Sequence, residues 1–401
     1  MKKTIATLLC LCLLAGLSAC SENIEATTTA TTPTASVPET TVPATTLPEE
    51  SAVAIYDGSI YAVSMPTVTE NSSAADGTVI YSYTYPSISI SLQDADIAEI
   101  ITLKLLNRID ASAGAAAAIH DAAKASYKAS SDFIPYCYDV QYNVTHLSQN
   151  ILSFYCTEAS YDGSPRSLRS RYALNFDLAT GNELNLRTVL QNDYSADILC
   201  QLIIDGLSSY DQSALFPDYQ TTIHDKFSTN VPVDSWYFTG EGLCFYFEPY
   251  EIAPVSMGDI VSVVPYDKLS GMMDEQFFPA EHSDYIGNIA LNNITGNIED
   301  SLAGYNQFSE LTLDTGADHL LLVTDGSVTD LRIYNGSFSD KDSGHTVMLY
   351  AAAALGPGHA VLIEADADTI DGNWLITYKT ATETKQCTIT HAPSGDLTII
   401  E

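Results

Sequence analysis

Alternating apolar and polar positions, interrupted by one long stretch of helical spacing, divide the chain into elements. Val79 to Leu92 alternates, with Tyr81, Tyr83 and Tyr85 on one face and Ile88, Ile90 and Leu92 after Pro86. It reads as a strand interrupted at Tyr85-Pro86. From Asp94 to Ala129 the apolar residues Ile97, Ile100, Ile101, Leu105, Leu106 and Ile109 recur at helical spacing. Asp94 or Asp96 can cap that helix, and the Ala-rich run 111–123 extends it, with a break expected at Gly114. Pro135 to Ala159 reads as a hairpin turning at Leu147 to Asn150, and Arg171 to Phe176 as a third strand. Asp177 to Gly181 is a turn with glycine available for positive φ. Helices are expected over Asp193–Leu207 and Pro217–Phe227. Leu243–Phe247 and Ile260–Val264 are apolar enough for buried strands, and Pro249, Pro254 and Gly258 punctuate the loop between them. A short closing helix is expected over Tyr266–Phe278.

Beyond residue 285 the pattern changes. Short apolar segments recur at Leu311–Leu313, Leu320–Val323, Leu331–Tyr334, Val347–Leu349, Ala360–Ile363, Trp374–Tyr378, Cys387–Ile389 and Leu397–Ile400. Gly, Asp, Asn and Ser separate many of them, as in a small β-sandwich or barrel. The run Ala351–Ala354 can instead form a helical turn. The fold class expected is therefore α+β, an antiparallel sheet with packed helices, followed by a small all-β, sandwich-like domain. The boundaries are 53–280 for the first domain and 285–401 for the second.

The first 52 residues have a different character. Lys2 and Lys3 precede a largely apolar run, and Leu17-Ser18-Ala19-Cys20 resembles the bacterial lipobox. That resemblance implies removal of a signal peptide, residues 1–19, and lipidation of Cys20. No other apolar run is long enough to span a bilayer. The expectation is a lipid-anchored, extracytoplasmic protein of the bacterial cell membrane. Residues 20–52 follow as a Thr/Pro-rich linker, with Pro33, Pro38, Pro43 and Pro48 at every fifth position. Such a segment has too few large apolar groups to offset its ordering entropy, so a disordered, extended tether is expected. Fully polyproline-like it reaches ~90 Å, and as a coil nearer ~30 Å, and its expected job is to lift a folded head into the cell wall.

The net charge is −35, from 16 Lys+Arg and 51 Asp+Glu. The leader carries no acid, so its removal makes the chain more negative still. Nucleic acid is excluded as an expected partner, because phosphate binding needs basic residues. Attraction to cationic proteins is expected, and so is simple solubility in an anionic envelope. Five cysteines follow Cys20. Cys137, Cys156, Cys200 and Cys244 sit in apolar or aromatic contexts and read as core residues, with one disulfide, Cys200–Cys244, left open. No CxxC, HExxH or Gly-x-Ser-x-Gly motif occurs, and no metal or other cofactor is expected. The acidic run Glu364, Asp366, Asp368, Asp371, Gly372 fails calcium-loop spacing and reads as a solvated loop. Glu251, beside Tyr250, is a lone carboxylate with no partner visible in the sequence.

The run Pro249-Tyr250-Glu251-Ile252-Ala253-Pro254, then Gly258, then Pro265-Tyr266 resembles the signature of the extracytoplasmic domain of RsiV-type proteins. Those are lysozyme-sensing anti-sigma factors, and a similar domain accompanies PdaC-type peptidoglycan deacetylases. Tyr85-Pro86 before the helix, Asn175 to Leu178, and Thr180-Gly181 with Leu184 and Leu186 add to the resemblance. It implies the α+β fold, a cell-surface setting, and candidate binding residues Tyr250, Glu251, Pro254, Gly258 and Tyr266. One departure is clear. Where the family has a Gly-Gly-Ala-His turn, this chain has Asp162-Gly163-Ser164-Pro165, so no role of that His carries over. A lipid anchor also leaves no cytoplasmic segment to hold a sigma factor, and the deacetylase domain is missing. The expected function is a non-enzymatic binding module of the cell envelope, for lysozyme or another cationic protein, or for peptidoglycan. The alternative is an envelope enzyme acting on peptidoglycan through carboxylates such as Glu251.

Overall fold

The computed structural model describes residues 61–128, 132–165, 167–191, 194–228, 231–279, 286–313, 318–336, 346–366, 370 and 374–400. Cys20 and the linker lie outside them. Residues 51–401 form one compact unit.

The chain opens with β1 (Ala62–Ser64), β2 (Thr67–Ser73), β3 (Val79–Pro86) and β4 (Ser89–Ser91). Tyr85-Pro86 does interrupt the alternating stretch, and the consequence is topological: β3 and β4 join different sheets. Helix α1 (Ala95–Ser126) follows, capped by Asp94, whose Oδ1 accepts from the backbone N–H of Asp96 and Ile97 at 3.0 and 3.2 Å. It runs unbroken through Gly114, against expectation, because Ala98, Ile101, Leu105, Ile109, Ala116 and Ala123 form one continuous buried stripe. Next come β5 (Tyr136–Leu147), β6 (Ile151–Tyr161) and β7 (Leu168–Asp177). They complete a sheet in the order β2-β3-β5-β6-β7. Its one parallel pair, β3 with β5, is allowed by the α1 crossover. The α1 stripe and this sheet enclose the first core.

A second core lies under short α2 (Leu186–Val189), α3 (Ala196–Gly206) and α4 (Tyr219–Phe227). They cover a sheet of β8 (Trp236–Phe238), β9 (Gly242–Phe247) and β10 (Ile260–Pro265), ordered β10-β9-β8. In β9 the two-residue period sends Leu243, Phe245 and Phe247 into the helix core with Cys200, and Cys244 and Tyr246 to the opposite face. That alternation is why no Cys200–Cys244 bridge forms; Cys137, Cys156, Cys200 and Cys244 are thiols. The closing helix expected over Tyr266–Phe278 is two single 3-10 turns, Tyr266–Lys268 and Glu275–Phe277, with Gly271 at φ +74° between them.

The remaining elements are β11 (Ile289–Ile294), α5 (Ile298–Leu302), β12 (Gln307–Thr312), β13 (Asp318–Thr324), β14 (Val328–Asn335), β15 (Val347–Leu355), β16 (His359–Ala365), β17 (Trp374–Lys379), β18 (Thr384–His391) and β19 (Leu397–Ile400). A four-stranded sheet, β11-β13-β16-β12, faces a seven-stranded one, β19-β18-β17-β14-β15-β1-β4, across a third core. The seven-stranded sheet draws β1 and β4 from the start of the chain, so the residues beyond 285 do not build their sandwich alone. Ala351–Ala354 lies within β15 and is not a helical turn. The strand is buried on both faces, Ala352 toward the sandwich and Ala351 and Ala353 toward the α1 core, and small side chains let the layers close over it. The whole is mostly β with several antiparallel sheets and a helical minority.

Candidate functional site

The β9–β10 loop carries most of the residues singled out from the sequence, and it is held from inside. Ile252 and Ala253 are buried, and the Ile252 carbonyl accepts from Phe216 N–H at 2.9 Å. Glu251 turns inward. Its Oε1 lies 2.7 Å from Lys226 Nζ, and its Oε2 accepts from Glu248 N–H at 2.8 Å. Lys226 reaches it from α4, its ammonium 5.4 to 5.8 Å from the ring centres of Phe227, Tyr246 and Phe247. The carboxylate that lacks a partner in the sequence therefore has two in the fold. Both oxygens are committed, which leaves it poorly placed for proton transfer. Burial holds the neighbouring Glu248 carboxyl above its ordinary range, with Arg171 and Lys226 opposing the shift. Arg171, whose side chain is mostly buried, pairs with Asp259 at the end of the loop.

With Glu251 turned in and Ile252 buried, Tyr250 turns out. It takes φ +69°, a conformation that L-residues other than Gly, Asn and Asp seldom adopt, and its side chain is 63% exposed. Pro254 begins the 3-10 turn Val255–Met257, and Gly258 ends it at φ +73°. Nothing lies within 4 Å of a Cβ built at Gly258, so glycine is required there by backbone conformation and not by space. Tyr266 is not part of this group. The six residues of β10 carry it ~20 Å away, at the strand's other end. There its hydroxyl donates to the Thr239 carbonyl at 2.9 Å and its ring meets Phe278. Tyr250, Glu251, Pro254 and Gly258 form one loop, and Tyr266 belongs to a different place.

That second place borders a cavity of about 220 Å³ between β5, the β8–β9 turn, the 278–279 segment, β14 and β17. His146, Phe278, Asp330, Arg332 and Lys379 line it. His146 arrives through a β-bulge. Val144 pairs with Phe154, but His146 pairs with Ser153, so one residue is added between them. Simple alternation from Tyr142 and Val144 would send His146 into the α1 core. The bulge puts it on the Ser153 face instead, against Phe238, with ring centres 6.1 Å apart. The Thr239 backbone beside it favours the charged ring slightly. Nε2 is buried and has no hydrogen-bond partner. Burial pulls the ring's pKa down to about 4, and the Arg332 and Lys379 charges pull the same way against Asp330.

Asp330 organises the cationic side. It sits at φ +50°, at an irregularity in the β14–β17 register. From there its carboxylate accepts from Arg332 Nε at 2.7 Å and lies 3.0 Å from Lys379 Nζ. Burial alone would raise the Asp330 pKa, but the two cations outweigh it and hold the carboxyl below its ordinary range. Arg332 Nη1 and Nη2 donate to the Val144 and Thr145 carbonyls at 2.9 and 3.1 Å, clamping β14 onto the bulged end of β5. Lys379 remains 40% exposed, and its ammonium would lie 2.9 Å from a Cβ at Gly240.

Of the remaining sequence candidates, Glu364 bonds Thr312 and His319, and residues 367–369 and 371–373 of the acidic run lie outside the described residues. Among the described residues no group of three or more His, Cys, Asp or Glu is arranged to hold a metal, and no helix is long and apolar enough to cross a membrane. Sequence reading misses Lys226, Arg171, His146, Asp330, Arg332 and Lys379. The one available signal is scarcity: with 16 Lys+Arg against 51 acids, each partly buried cation needs a reason.

Comparison with known proteins bears on the first place. The family model that matches is "Protein of unknown function (DUF3298)", over residues 190–267. Residues 190–267 are a DUF3298 domain. The domain spans α3, α4 and β8 to β10, and contains Tyr250, Glu251, Pro254, Gly258 and Tyr266. Among solved structures, the chain is similar to a DUF3298 family protein from Pseudomonas aeruginosa PAO1, at 14% identity and a TM-score of 0.40, over 54% of this chain and 96% of that one. It is also similar to a DUF3298 family member from Bacteroides fragilis NCTC 9343, at 15% identity and a TM-score of 0.36, over 54% and 95%. No curated protein matches.

Proposed function

We propose that the chain is a lipid-anchored protein of the bacterial cell surface whose RsiV-like, DUF3298-containing part is a non-enzymatic binding module of the envelope. Its ligand is a cationic protein such as lysozyme, or a component of the wall. The observation that carries this reading is Tyr250: a large aromatic held outward at positive φ by a loop whose neighbouring residues are pinned inward. A strained, exposed tyrosine is costly for folding and useful for contact, since an aromatic ring offers large area on only two rotatable bonds. The net charge of −35 favours a cationic partner and speeds its encounter. The enzymatic alternative draws least support from the same loop, because the Glu251 carboxylate is already shared between Lys226 and the Glu248 N–H.

The test is titration calorimetry of the unit 51–401 with lysozyme at low and at high salt, beside its Tyr250→Ala variant. Saturable binding that weakens as salt rises and disappears in the variant is the expected result. Absence of binding at low salt removes lysozyme as the ligand. Binding indifferent to salt or to Tyr250 removes the loop and charge as its basis.

A further inference from the structure

The open flank of the sandwich carries a polar surface where a core is expected. There β12, an edge strand of the four-stranded sheet, meets β1 and the edge strand β4 of the seven-stranded one around a slot of about 140 Å³. In β1 and β4 the two-residue period sends Val63 and Ile90 to the α1 core and the positions beside them toward the other sheet. A sandwich interior is ordinarily apolar at such positions. Here they include Ser64, Ser89 and Ser91, and β12 adds Ser309. Tyr350 of β15, paired with Ser64, shares the slot, and its hydroxyl and that of Ser309 satisfy each other at 2.6 Å. The hydroxyls of Ser64, Ser89 and Ser91 have no hydrogen-bond partner among the described residues. Ser64 is the telling one: the residue is only 7% exposed, and its oxygen is still open to the slot.

Register fixes the spacing of these groups. Ser64 and Ser89 are directly opposite, so their side chains start about 5 Å apart, and Ser91 lies two residues on, about 7 Å along β4. One water can join two of the hydroxyls but not all three. A six-membered ring bearing hydroxyls around its rim can reach all three, and the slot is close to the ~150 Å³ of a cavity that holds one benzene ring. Serine hydroxyls donate and accept alike, so they match a ligand whose groups do both. Among the described residues no Lys, Arg or His lines the slot, and Glu310 stands at its mouth, so an anion is not favoured there.

We propose that this slot binds one uncharged sugar ring, whose hydroxyls pair with those of Ser64, Ser89 and Ser91. The site lies outside the DUF3298 domain and shares no residue with the Tyr250 loop, so it goes beyond the function proposed above.

The experiment is saturation-transfer NMR of the unit 51–401 with methyl glucoside, and with glucuronic acid as a similar ring carrying a carboxylate. Transfer to methyl glucoside is expected, with glucuronic acid bound more weakly. Ser64→Ala should weaken methyl glucoside about fivefold, the scale of one neutral hydrogen bond. It should also leave the melting temperature unchanged or raised, because it removes a hydroxyl that nothing in the fold satisfies. Ser91→Val should fill the slot and abolish transfer, while a β-branched residue suits the strand. Should that variant fail to fold, Ser64→Ala decides. No transfer to methyl glucoside, glucuronic acid bound as tightly, or binding that survives either substitution overturns the proposal. So does a lowered melting temperature in Ser64→Ala, which would show that its hydroxyl is bonded within the protein.

Discussion

Replacing His146 with asparagine should flatten the dependence of stability on pH between 7 and 4.5. The ring is buried, and its pKa in the fold is about 4 against 6.5 for the free side chain. Below pH 6.5 the unfolded chain takes up a proton that the folded chain refuses, so unfolding is favoured as the pH falls. The contribution of His146 is therefore fully present above pH 6.5, declines toward pH 4, and is gone below it. At ~1.4 kcal/mol per unit of pKa, the change integrates to about 2.5 kcal/mol between pH 7 and 4.5. Asparagine cannot titrate. It also loses the packing on Phe238, so the comparison lies in the slopes and not in the absolute values. Urea unfolding followed by the fluorescence of buried Trp236 and Trp374 measures both slopes. Parallel slopes for wild type and variant across this window would mean that His146 takes up its proton in the fold at the same pH as in the unfolded chain, and would refute a ring kept neutral by burial.

Other consequences can be checked on the same unit. Tyr250→Gly should remove the strain of φ +69° and raise stability by about 1 kcal/mol in thermal melts while abolishing ligand capture; a lower melting point would show that the Tyr250 side chain supports the fold. Lys226→Met should cost about 2 kcal/mol, because it strands a mostly buried Glu251, and adding Glu251→Gln should recover part of that loss in a double-mutant cycle. Additive losses would show that the pair contributes nothing. Ala352→Leu should destabilise by about 1–3 kcal/mol, since its Cβ is buried in the sandwich core of a strand covered on both faces. A neutral effect in urea titrations would contradict that layering.

Much of the fold was legible because it follows local rules. Spacing of Ile97, Ile101, Leu105 and Ile109 defined α1, the alternating tyrosines defined β3 and β5, and the short apolar runs beyond residue 285 marked their strands. The small, short-run pattern around Ala351–Ala354 misled, because an alanine run has no face of its own. Only burial from both sides makes it a strand.

The site divides along the same line. The sequence by itself determined the composition of the β9–β10 loop, with Pro249, Pro254 and Gly258 constraining its backbone, and the acidity of the chain. It could not set which way a side chain points. A bulge between Val144 and His146 turns the histidine to the other face of its sheet, and a register irregularity places Asp330 between Arg332 and Lys379. Glu251 finds Lys226 on α4, His146 packs on Phe238 of β8, and the Val144 carbonyl beside the bulge is held by Arg332, 188 residues away along the chain. Pairing register and long-range charge contacts are fixed only when the sheets close, and that is why tertiary structure, and not the sequence, decided that Glu251 is bound up, that Tyr250 is free, and that a cavity opens at His146.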